Sequence, residues 1–141
     1  MIKDMGIDYC YGRDKELKIK RILPEIYNQK FRDYSRDQYA TFDFISEDNT
    51  IILELKSRRC KSNQYRTTIV GLNKIEKAKE LLKEDKVVKF LFNFTDGLYE
   101  WCDLENYKVR KGGRTDLIGE RGWKDYAHIN INNLKLLQSY A

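Results

Sequence analysis

With 141 residues, 41% of them hydrophobic and 13% aromatic, the chain can bury one core, and a single domain over 1–141 is expected. Its 27 basic and 22 acidic residues leave a formal charge of +5, a bias that is informative only through its distribution. No apolar run approaches the roughly 20 residues of a membrane span, and the first residues lack a leader's apolar stretch, so the expectation is a soluble intracellular protein, cytoplasmic or nuclear, or one encoded by a virus or phage.

Missing residues narrow the chemistry further. Cys10, Cys60 and Cys102 are far apart and odd in number, which suits neither a disulfide framework nor a CxxC site. The single histidine, His128, rules out multi-histidine metal centres and reads as a strand residue in Tyr126-Ala127-His128-Ile129. Without a GxxxxGK[ST] or GxGxxG loop, nucleotide hydrolysis and dinucleotide redox chemistry find no phosphate cradle.

In chain order, Leu17, Ile19, Ile22, Leu23, Ile26 and Tyr27 recur at helical spacing, predicting a helix from about Arg13 to Phe31, with a kink or restart at Pro24. Gln38 to Ile45 and Thr50 to Lys56 are rich in β-branched and aromatic residues and flank Ser46-Glu47-Asp48-Asn49, predicting a hairpin. With the turn centred on Asp48-Asn49, Ile45 pairs with Ile52, Phe44 with Leu53, and Asp43 with Glu54. A second helix is expected over Thr68 to Glu84, with Asn73 and Glu76 as a possible capping box. Val87 to Phe94 and Leu98 to Leu104, around the turn Thr95-Asp96-Gly97, read as a second hairpin. Residues Tyr107 to Lys124 suggest a long loop, followed by a short strand at His128 to Ile131 and a short helix from Asn133 to about Ser139.

The hairpin carries the chemistry. Side chains two apart on a strand share a face, so Glu54 and Lys56 project together, and the register sets Asp43 beside them. Directly opposed carboxylates cost a few tenths to about 1 kcal/mol, which a divalent cation would relieve. Two carboxylates, waters and the backbone carbonyl of Leu55 suit Mg²⁺, with Mn²⁺ able to substitute. Such an ion would acidify water and polarise a phosphoryl oxygen, while the Lys56 ammonium would orient the nucleophile or stabilise developing charge. This is the chemistry of metal-assisted phosphodiester hydrolysis.

These residues and their order resemble the PD-(D/E)xK nuclease superfamily over about residues 12 to 104. The signature aspartate corresponds to Asp43 in Thr41-Phe42-Asp43-Phe44, with Phe42 in place of the nominal proline, and (D/E)xK corresponds to Glu54-Leu55-Lys56. The resemblance implies an α/β fold with a restriction-endonuclease-like core. That core is a mixed central β-sheet flanked by helices in α-β-β-α-β order, here with an added C-terminal hairpin and strand. It also implies an acidic residue from the first helix at the site, for which Glu16 is the match, and a polar or basic one from the second, for which Lys74 is the candidate. Glu16 stands three and seven residues before Ile19 and Leu23, on the helix's apolar side, and is expected to share the ion with Asp43 and Glu54.

The implied substrate is nucleic acid, DNA first, with branched or structured DNA in recombination, repair or replication as the expected form. The basic clusters Arg58, Arg59, Lys61 and Arg110, Lys111, Arg114, both read as loops, are candidates for its phosphates, with Tyr65 and Arg66 beside them. So short a chain has little room for specificity elements unless it forms a homodimer. The alternative is a catalytically silent nucleic-acid-binding module of the same fold.

Overall fold

The computed structural model describes the backbone of residues 2–34, 42–113 and 123–140, with side chains over 14–34, 42–112 and 124–140. The first element, α1 (Ile2–Tyr27), starts well before the expected Arg13 and runs through Pro24. Proline removes one intrahelical bond, but here the loss falls in the last turn, just before Asn28 takes a left-handed φ of 57° and ends the helix. The helix ends at Tyr27, short of the expected Phe31, which instead opens the strand β1 (Phe31–Asp33).

The hairpin strands are β2 (Phe44–Ser46) and β3 (Ile51–Ser57). The strand expected from Gln38 is shorter among the described residues, and its segment Gln38–Thr41 lies outside them. Pairing of Phe44 with Leu53 and Ile45 with Ile52 is the register read from the turn. The buried Ser46 holds that turn, its Oγ accepting the N–H of Ile51 at 2.9 Å and of Thr50 at 3.2 Å.

The segment expected as one helix over Thr68 to Glu84 divides into β4 (Thr67–Gly71) and α2 (Leu72–Leu82). Four consecutive residues, Thr67-Thr68-Ile69-Val70, are β-branched and fit an extended chain better than a helical turn. Gly71 takes the N-cap position with no side-chain bond, so the Asn73–Glu76 capping box does not form. The chain then crosses back to β5 (Val87–Phe94), which lies parallel to β3, and turns into β6 (Gly97–Trp101).

Two further differences lie near the C-terminus. The stretch expected as a loop from Tyr107 contributes β7 (Lys108–Gly113), and the expected short strand at His128 is the longer β8 (Trp123–Asn130). The helix expected from Asn133 is instead β9 (Lys135–Ser139), which follows a single 3-10 turn and pairs with β6. Gly97 permits that pairing, since a Cβ there would come within 2.9 Å of the Gln138 carbonyl oxygen.

The result is a mixed six-stranded sheet of order β1-β2-β3-β5-β6-β9 and a separate antiparallel sheet of order β4-β8-β7. Alternation along β3 and β5 divides the core. Leu53 and Leu91 face α1 through Ile19 and Leu23, whereas Ile52, Phe90 and Phe92 join Ile75, Ala78 and Leu81 of α2 and Val70, Ala127 and Ile129 of the second sheet. On the α1 side the buried Glu100 accepts from Lys89 Nζ at 2.9 Å and Tyr27 Oη at 3.0 Å, tying the end of α1 to β5 and β6. Among the described residues no helix is long and apolar enough to cross a membrane, and Cys60 and Cys102 are free thiols.

Candidate active site

Glu54 occupies the middle of β3, between β2 and β5, and its position in the alternation turns it toward α2. It is 3% exposed, an environment that penalises a carboxylate unless other groups compensate. Asp43 lies just before β2, where the hairpin ladder becomes irregular: its N–H donates to the Leu53 carbonyl at 3.0 Å rather than to that of Glu54. The expected Asp43–Glu54 backbone pair is therefore displaced, but the side chains still meet. Asp43 Oδ2 accepts the Leu55 N–H at 2.7 Å, and the Asp43 and Glu54 carboxyl groups are hydrogen-bonded.

Two ammonium groups face this pair. Lys74 Nζ stands 3.1 Å and Lys56 Nζ 3.8 Å from Glu54 Oε2. Both are charge contacts, for Oε2 has no well-directed hydrogen bond although it is buried. The Glu54 carboxyl is pushed up to about 8, first by burial and then by the hydrogen bond and charge of Asp43, which together outweigh the two lysines. At neutral pH the pair holds a proton.

Lys74 comes from the first turns of α2 and is steered by an aromatic ring, with its ammonium 5.4 Å from the centroid of Phe42. Phe42, at the nominal proline position, is thus both a core residue and the platform beneath a site lysine. Its role had no signal in the sequence, because the contact joins positions 32 residues apart in the chain on elements whose approach is set by tertiary packing.

The other expected site residues are placed differently. Glu16 rides on α1, which packs against the opposite face of the large sheet from the one toward which Glu54 projects. Among the described residues no group of three or more His, Cys, Asp or Glu side chains is positioned to hold a metal, so the expected triad with Glu16 is not assembled. Ile19 and Leu23 are buried, as the helix's apolar spacing requires, but that spacing does not determine which sheet face the helix covers. Arg58 is partly buried and donates Nη2 to the Ile69 carbonyl at 2.8 Å, bridging β3 to β4. With Lys61 and Tyr65 it lines a cleft of about 340 Å³, while Arg59 and Arg66 are exposed. Arg110 and Lys111 are exposed on β7 rather than in a loop, and Arg114 lies outside the described residues.

A buried acidic pair of this kind suits a hard divalent cation. The donors are carboxylate oxygens, one of them a buried oxygen without a hydrogen bond, and a cation would replace the shared proton. No curated protein and no solved structure matches the chain. The family described as "phage putative PDDEXK endonuclease" matches residues 9–136, nearly the whole sequence and all of the site above. With nine-tenths of its length matched, the chain belongs to the phage putative PDDEXK endonuclease family.

Proposed function

We propose that this protein is a divalent-metal-dependent endonuclease that hydrolyses phosphodiester bonds in DNA, with branched or otherwise structured DNA as its substrate. The observation that carries the reading is the buried Glu54 carboxyl, hydrogen-bonded to Asp43 and faced by Lys56 and Lys74, in a chain of this family. Asp43, Glu54 and the Leu55 carbonyl would hold Mg²⁺ or Mn²⁺. When bound, the ion supplies Lewis acidity to a phosphoryl oxygen and makes water easier to deprotonate.

The remaining work belongs to the chain. Asp43 is oriented by the Leu55 N–H, which its Oδ2 accepts. Glu54, fixed in a central strand, would offer its carboxylate to the ion after losing its proton to solvent. Lys56 is about one third exposed and can reach a substrate phosphate, where its ammonium would stabilise charge developing on the transferred group. Lys74, less exposed and seated over Phe42, keeps positive charge beside Glu54 throughout.

The test is a cleavage panel of linear duplex, single-stranded, flap and four-way-junction DNA, with RNA alongside, in Mg²⁺, Mn²⁺ and EDTA. DNA should be cut with either cation and spared in EDTA, with junction or flap substrates cut fastest. Undiminished cleavage by purified Asp43→Asn and Lys56→Ala variants would sink the assignment.

A further inference from the structure

The second sheet has an outer face that the chemistry above does not use. In β4, Thr68 and Val70 turn inward, and in β8, Ala127 and Ile129 do the same, all four being buried. Alternation then puts Thr67 and Ile69 outward on β4, with Tyr126, His128 and Asn130 outward on β8. The ladder sets Ile69 and Lys108 on either side of His128, and Gly71 and Arg110 on either side of Tyr126.

A cleft of about 550 Å³ lies on this face, lined by Arg66, Thr67, Lys108, Arg110, His128 and Asn130 among others. One carboxylate, Glu105, borders it against three cations. Among the described residues no side-chain hydrogen bond or ion pair occupies Arg66, Lys108 or Arg110, so their charge is free for a ligand. The Tyr126 ring reaches across the edge strand into the space above Gly112, where a Cβ would come within 3.0 Å of its Cδ2. Glycine at 112 is what makes room for the ring.

The geometry points to an unpaired nucleic-acid strand as the occupant of this face, with its phosphates along Arg66, Lys108 and Arg110 and its bases against Tyr126 and His128. The choice of polymer rests on the nuclease reading, whereas the surface itself is argued from the sheet. Two considerations favour a single strand over a duplex. Three strands span only about 10 Å, the scale of one nucleic-acid chain. Rings on the central strand of this sheet can stack only on bases whose faces are free, and a duplex hides them. The surface would hold a displaced or branched strand while another segment is cut at the carboxylates.

The experiment is fluorescence anisotropy of the full chain with labelled single-stranded DNA and with the matching duplex, in EDTA to prevent cleavage, over a range of salt. Lys108→Ala/Arg110→Ala should weaken single-strand binding about tenfold or more at low salt and lower the salt slope by about 1.4, at about 0.7 per lost phosphate contact. Tyr126→Leu should weaken it by roughly tenfold with an unchanged slope, because stacking releases no counterions. Thermal melts matching the wild type will establish that each variant is folded. No single-strand binding by the wild type, unchanged affinity in folded variants, or equal losses on duplex and single strand would each overturn the proposal. The nuclease reading fails separately: a wild type that shows these binding effects but cuts nothing in Mg²⁺ or Mn²⁺ keeps the interface and loses the endonuclease.

Discussion

At the residue scale the main feature is the proton that Asp43 and Glu54 share. Folding raises the Glu54 carboxyl from its ordinary value near 4.5 to about 8, so the native state binds a proton that the unfolded chain has lost. The associated stability is fully present below about pH 4.5, and it is lost as pH rises through about 8. Metal-free protein should therefore melt at progressively lower temperature between pH 5 and 9, with at most about 5 kcal/mol at stake. Glu54→Gln should flatten that profile in EDTA, and an equally steep profile in the variant would assign the dependence elsewhere. Asp43→Asn and Lys56→Ala should impair cleavage by different routes. The first should weaken Mn²⁺ binding in calorimetry. The second should leave Mn²⁺ binding intact and lower the single-turnover rate about 100-fold or more.

Among the elements, α2 positions the second lysine, and its anchor is Ile75, fully buried next to Lys74. Ile75→Ala should cost about 2–5 kcal/mol in urea unfolding, and the helix's looser seating should lower cleavage as well. A variant as stable as the wild type would show that α2 is held by other contacts. The same stretch shows why local pattern misassigns elements. Ile69, Leu72, Ile75 and Ala78 are three apart and read as one helical stripe, yet Ile69 belongs to β4, exposed on the far side of the sheet whose inner face packs on α2. In β9 the error runs the other way, for the segment expected as a short helix from Asn133 to about Ser139 instead joins the edge of β6.

For the whole molecule, a site built from a central strand couples metal binding to global stability. Any ligand that binds only the folded state stabilises it by mass action, by about 2.7 kcal/mol at a hundredfold excess over Kd. Mn²⁺ should raise the melting temperature of the wild type by several degrees, reversibly with EDTA, and should do so more strongly at pH 8 than at pH 6, where more of the Glu54 carboxyl must be deprotonated first. Asp43→Asn should show little of this rise. A full Mn²⁺ effect in that variant would locate the ion at another site.

The sequence by itself determined what depends on near neighbours. The turn after Ile45 set the pairing of Phe44 with Leu53 two residues away, and the period-2 spacing of Glu54 and Lys56 put acid and base on one face. From these the motif and the family pattern were legible before any fold was known. Tertiary structure alone decided how Asp43 leaves the ladder to bond the Leu55 N–H, that Lys74 rather than Glu16 meets Glu54, and that β4, β8 and β7 form a second sheet. Hydrophobic periodicity tells which side of a helix or strand seeks burial, but it does not say which of two apolar surfaces will receive it. That choice is made by the packing of elements distant in the chain, and here it put α1 and α2 on opposite faces of one sheet.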